Sequence, residues 1–243
     1  MKVWAITLAV LGTFLIVVGW ATLFFYPDFW YWVLLGIVVV AVGVVVLARR
    51  RQLITDWPFG LHIIVFVGSV FVFLFFLRTG LIYWLVLGGF SIALLVHLLN
   101  LSRPQPIREI GQLVNLVAAF AFFYSLYSLT FFFGLPDWQL ILIVLGGVMA
   151  LIFPWLPQEG KRWRSLFYSL IVGIILAQIA WVFTFWPTTT LVISVLLLLF
   201  FYVISNIVIS FLWEELDFRR VWQYIVIAGA LAGAILVTAN WSY

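Results

Sequence analysis

The chain contains two histidines, His62 and His97, and these are the side chains best equipped for ligand chemistry. A neutral imidazole offers one ring nitrogen to a metal or haem iron while the other makes a hydrogen bond. His62 stands near the start of one apolar run and His97 near the end of the next, so a hairpin would bring both to a similar depth. Holding a shared haem or pigment also requires both rings to rotate towards one point, which spacing does not fix. The plainer expectation is hydrogen bonding or packing near the membrane edge, with no cofactor. Asn115 and Asn206 fall towards the same ends of their own runs, where they could line a polar notch with the histidines or bond between helices.

The richest polar stretch comprises Trp213, Glu214, Glu215, Leu216, Asp217, Phe218, Arg219 and Arg220. Paired acids can chelate a divalent ion or activate water. Pairing of Glu214, Glu215 or Asp217 with Arg219 and Arg220 accounts for the stretch more simply, and its functional version is a docking surface for a cytoplasmic partner. Lys161, Arg162 and Arg164 form a second candidate contact, first for anionic lipid and then for a partner. No catalytic residue is assigned. The sequence lacks a phosphate-cradling glycine loop, a Ser-His-Asp arrangement, a His-Glu-x-x-His helix and any cysteine, each of which would announce a chemistry through its spacing.

The elements that carry these groups follow from composition. Of 243 residues, 67% are hydrophobic and 8% charged, against about a quarter charged in soluble domains. Runs of roughly 20 apolar residues suit helices crossing a hydrocarbon core of about 30 Å. Membrane strands would alternate apolar and polar positions, and stretches such as 191–201 and 33–46 do not. The expected fold class is all-α: a polytopic transmembrane helix bundle over 3–25, 29–48, 59–77, 81–99, 110–133, 138–153, 163–185, 188–212 and 221–239. The segment 138–153 is short unless the chain around Pro154 is partly embedded. The first run is too long for a secretory signal core and lacks a convincing processing site, so it is expected to be retained.

Connections alternate between tiny, nearly uncharged turns and longer basic loops, giving hairpins 3–48, 59–99, 110–156 and 163–212 plus a final helix at 221–239. Among the 12 basic residues Arg78 alone falls on the side of the short turns. Positive loops face the cytoplasm, so the expected location is a cell membrane, with the N-terminus cytoplasmic and the C-terminus opposite. Charge confined to loops beside apolar helices predicts lipid contact and no nucleic-acid partner.

A faint repeat runs through the second helices of three hairpins: Tyr31-Trp32-Val33-Leu34-Leu35-Gly36, Tyr83-Trp84-Leu85-Val86-Leu87-Gly88 and Ile143-Val144-Leu145-Gly146. The turn pairs Pro27-Asp28 and Pro136-Asp137 punctuate the chain, and their aspartates are expected to cap the next helix. Gly12 with Gly19, and Gly36 with Gly43, are expected to relieve crowding in the bundle. Gly229 and Gly233 form a small-residue seam suited to close helix docking. The deep polar inventory is serine-rich and includes Gln178, an amide that needs a partner in lipid. No Asp, Glu, Lys or Arg is expected at mid-helix, against ion coupling.

These features favour one single-domain integral-membrane protein over 1–243 acting as a non-catalytic scaffold or accessory subunit, partnered by lipids and other integral-membrane subunits. A carrier or binder of lipid, quinone or another hydrophobic molecule is the alternative. An intramembrane enzyme using the rim at Glu214–Asp217 is a third reading.

Overall fold

The computed structural model describes residues 3–50, 57–77, 80–101, 107–157 and 162–239. Among them are nine α-helices: α1 (Val3–Phe25), α2 (Trp30–Arg50), α3 (Trp57–Phe76), α4 (Gly80–Leu101), α5 (Arg108–Phe133), α6 (Asp137–Ile152), α7 (Arg162–Phe183), α8 (Thr190–Leu212) and α9 (Phe218–Thr238). Eight are long and apolar enough to cross a membrane, and α2 contributes a shorter apolar stretch, Trp30–Val46. The protein is an all-α, polytopic membrane protein. Lys2, Arg51, Arg78, Arg103, Lys161 and Tyr243 lie outside the described residues.

The chain divides into two compact units, residues 1–125 and 126–243, with the boundary inside α5. In the first unit α1 packs along α2 and α4, and α2 against α3. The α4 core stripe is Tyr83, Leu87, Phe90, Leu94, His97 and Leu101, a spacing of three and four that keeps one helical face turned inward. Tyr83 donates its hydroxyl hydrogen to the Trp20 carbonyl, and Ser125 Oγ donates to the Ser69 carbonyl at 2.6 Å. These bonds join helices where water is absent to satisfy the hydroxyls.

In the second unit α6 packs most extensively against α7, across the basic connection, and α8 packs against α7 and α9. A glycine explains the first pairing. A Cβ on Gly173 of α7 would stand 3.0 Å from Leu145 Cδ1 and 3.1 Å from the Leu145 carbonyl oxygen. Absence of that carbon lets the two backbones approach, which in lipid replaces the missing hydrophobic drive with van der Waals contact. Asp137 adds a polar tie between the same helices. Pro136 is the N-cap residue of α6, without a side-chain cap, and Asp137 Oδ2 instead accepts from Trp181 Nε1 at 3.3 Å. The turn aspartate therefore bonds across to α7, contrary to the capping expectation. Tyr127 also reaches α7, donating to the Ala180 carbonyl.

The short α6 gains length from a 3-10 turn, Phe153–Trp155, whose three residues are all buried. The proline ends the α-helix by removing an N–H donor, while the chain stays buried. Crowding relief holds at Gly12 and Gly19, where a Cβ would meet Val44 at 2.7 Å and Ile37 at 2.6 Å. It does not hold at Gly36 and Gly43, whose missing Cβ positions have nothing within 4 Å.

Candidate functional site

In the first unit, α3, α4 and α5 bring three polar side chains together near the ends that adjoin the basic connections. His62 and His97 are fully buried, and Asn115 is 4% exposed. The imidazole centroids are 4.7 Å apart with planes tilted by 44°. His62 Nε2 lies 3.0 Å from Asn115 Oδ1. An amide oxygen only accepts, so with this amide orientation the His62 ring carries hydrogen on Nε2 and donates.

Each of the three side chains lies on the buried face of its own helix. His97 continues the inward stripe of α4. Asn115 shares one α5 face with the buried Ala118, Ala119 and Phe122. Asn100 then closes the connection between α4 and α5: its Nδ2 donates to the Ile107 carbonyl at 2.9 Å and its Oδ1 accepts from the Ile107 amide at 2.8 Å. This two-way clamp, which the sequence reading did not single out, fixes the register at which Asn115 enters the core.

What the node can do chemically is limited by its tightness. Two histidines on opposite sides of a haem iron would have ring centroids about 6 Å apart, from metal–nitrogen bonds of about 2 Å and the ring radius. At 4.7 Å the rings contact one another directly, and no haem fits between them. The arrangement instead stitches helices through a tilted ring contact and an interhelical hydrogen bond. Asn206, in the second unit, donates from Nδ2 to the Tyr202 carbonyl of its own helix at 2.8 Å.

The charged rim of the second unit is exposed and partly self-engaged. The Arg164 guanidinium lies 5.8 Å from the Tyr168 ring and 5.6 Å from the Phe211 ring, a cation–π placement linking α7 to α8. Arg162 and Arg219 are exposed. Arg220 Nη1 is 3.8 Å from Glu215 Oε2, with both side chains about half exposed, so this pair contributes at most about 1 kcal/mol. Asp217 caps α9, accepting from the Arg219 amide at 3.2 Å.

Glu214 occupies a left-handed position, φ 61°, just beyond α8. The Glu215 amide donates to the Ser210 carbonyl at 2.9 Å and the Glu214 amide to the Phe211 carbonyl at 3.2 Å. This closing pattern ordinarily places glycine where Glu214 stands. Glu214→Gly is therefore expected to raise stability by about 1 kcal/mol through relief of the left-handed strain, read as a higher melting temperature in detergent. An unchanged or lower melting temperature would mean that the Glu214 side chain outweighs the strain.

Gly229 and Gly233 lie on an exposed stretch of α9, and nothing stands within 4 Å of either missing Cβ. Ala228 is the buried residue of that helix. Elsewhere, an apolar lateral notch of about 250 Å³ between α1 and α2 is lined by Leu15, Val18, Gly19, Val33, Gly36 and Ile37.

The chain belongs to the family described as "Protein of unknown function (DUF5656)", whose model matches residues 24–238. The match spans α2 to α9 and includes His62, His97, Asn115, Gly173, Gln178, Gly229 and Gly233. No curated protein and no solved structure matches the chain.

Proposed function

We propose that this family member is a non-catalytic integral-membrane scaffold or accessory subunit that docks another integral-membrane chain through α9. The observation that carries this reading is the exposure of α9 around Gly229 and Gly233, where space remains for a close-packed backbone. Small residues are the usual means by which membrane helices approach closely. The basic residues favour an orientation with the N-terminus cytoplasmic and the C-terminus opposite. Lys161, Arg162 and Arg164, with Arg219 and Arg220, then serve as contacts for anionic headgroups or for the partner's cytoplasmic part. His62 and His97 act as structural groups in this reading.

Gly229→Leu and Gly233→Leu fill the docking space and leave the unit's own packing intact. Each is expected to reduce co-assembly with the partner about tenfold or more, measured by native mass spectrometry after gentle extraction, with melting temperature unchanged. Full assembly of both variants, or isolation of the unaltered chain as a stable monomer, would sink the proposal. A carrier of an apolar molecule is the second reading, supported by the α1–α2 notch, though its volume is below the roughly 300–1,000 Å³ of ordinary ligand pockets. Retention of one stoichiometric lipid or quinone, lost on Gly36→Leu, would favour that reading.

A further inference from the structure

The outer surface of α7, a helix long and apolar enough to span a membrane, carries a polar side chain well inside its length. Gln178 is exposed on α7, and its carboxamide has no hydrogen-bond partner among the described residues. It belongs to an outward stripe with Ile174, Ile175, Trp181 and Val182, themselves 38–58% exposed. At 1.5 Å of rise per residue, Gln178 lies about 7–8 Å inside the Phe183 end of a helix about 33 Å long. Trp181, nearer that end, directs its indole N–H to Asp137, the behaviour of an interfacial tryptophan. Gln178 sits on the hydrocarbon side of that pair, bordered by two isoleucines. An amide there without a partner costs several kcal/mol.

We propose that the Gln178 face of α7 binds a second copy of this chain, with the two Gln178 carboxamides bonded to each other across a two-fold axis. A carboxamide is both donor and acceptor, so two of them in opposed orientation form two N–H···O bonds and satisfy one another. A two-fold interface places each residue near the axis opposite its own counterpart, which matches one self-complementary group on one exposed stripe. The apolar residues around it supply the remainder of the contact. This surface is distinct from the α9 surface, so either can fail without the other.

The chain contains no cysteine, which makes engineered cross-linking clean. In the full chain reconstituted in lipid vesicles, Ile175→Cys is expected to form an intermolecular disulfide on mild oxidation. Val237→Cys on the exposed surface of α9 serves as the control. Adding Gln178→Leu to Ile175→Cys should reduce the cross-linked fraction and weaken dimerisation about tenfold, while Gln178→Asn retains part of it. Cross-linking in the otherwise unaltered chain gives a result even if Gln178→Leu folds poorly. Cross-linking at position 175 no greater than at 237, a monomer at every lipid dilution, or a dimer indifferent to Gln178→Leu would overturn the proposal. So would capture by position 175 of a different chain in place of a second copy.

Discussion

Gly173→Leu is expected to destabilise the second unit by about 3 kcal/mol, at the upper end of the usual overpacking cost. The size of the effect depends on which atoms would be struck. The first carbon of any side chain at this position already meets the Leu145 carbonyl at 3.1 Å, with Met149 Cγ at 3.4 Å. A flexible side chain can turn aside, but the Leu145 carbonyl belongs to the α6 backbone and moves only if the helix moves. Alanine asks for a few tenths of an ångström and should cost much less than leucine. Leucine forces the helices apart and strains the Trp181–Asp137 bond that joins them at one end. Gly146→Leu is the matched control, since nothing lies within 4 Å of the missing Cβ on the exposed side of α6. Unfolding by a denaturing detergent should separate the two variants by a large margin. Equal stability would show that the close approach at Gly173 does not hold α6 to α7.

Gly173 also shows where sequence stops being informative. It is the one glycine of its apolar run, and the small residues four positions away on either side, Ser169 and Ala177, mark a seam less visibly than a glycine pair. Gly12, Gly19, Gly36 and Gly43 occur in visibly spaced pairs, yet crowding is found at the first two and open space at the others. Spacing identifies a shared helical face but not whether another helix covers it. The same physics governs the histidines. Their common depth follows from the order of apolar runs, because about 20 residues cross the core and position along a run sets height. Their mutual rotation depends on packing among α3, α4 and α5, which no pattern in one run encodes. Segment ends were legible for the same reason that depth was: α1 spans Val3–Phe25 as composition indicates, and the buried turn at Phe153–Trp155 accounts for the short α6. Asp137 was misread because proline followed by aspartate is a sound local signal for a cap, whereas its partner Trp181 is 44 residues away.

Asn115→Leu is expected to destabilise the first unit by about 1–3 kcal/mol, the cost of leaving a buried donor without its acceptor. The donor is the His62 Nε2–H, held 3.0 Å from the Asn115 oxygen in a site where both residues are buried. Leucine keeps the branched outline and heavy-atom count of asparagine and leaves no cavity, so the loss does not report missing volume. The sign of the coupling distinguishes this account from simple packing. With His62→Phe introduced as well, neither an imidazole N–H nor an amide needs satisfying, and the double variant should recover part of the stability lost in the single one. Asn206→Leu provides the comparison, because that amide bonds to the Tyr202 carbonyl of its own helix and its removal leaves no side-chain donor stranded. Two outcomes would defeat the argument: Asn115→Leu behaving like Asn206→Leu, or strict additivity of the His62 and Asn115 substitutions. Coupling instead identifies the bond between α3 and α5 as a determinant of how those helices are rotated, and so of why both histidines face the core.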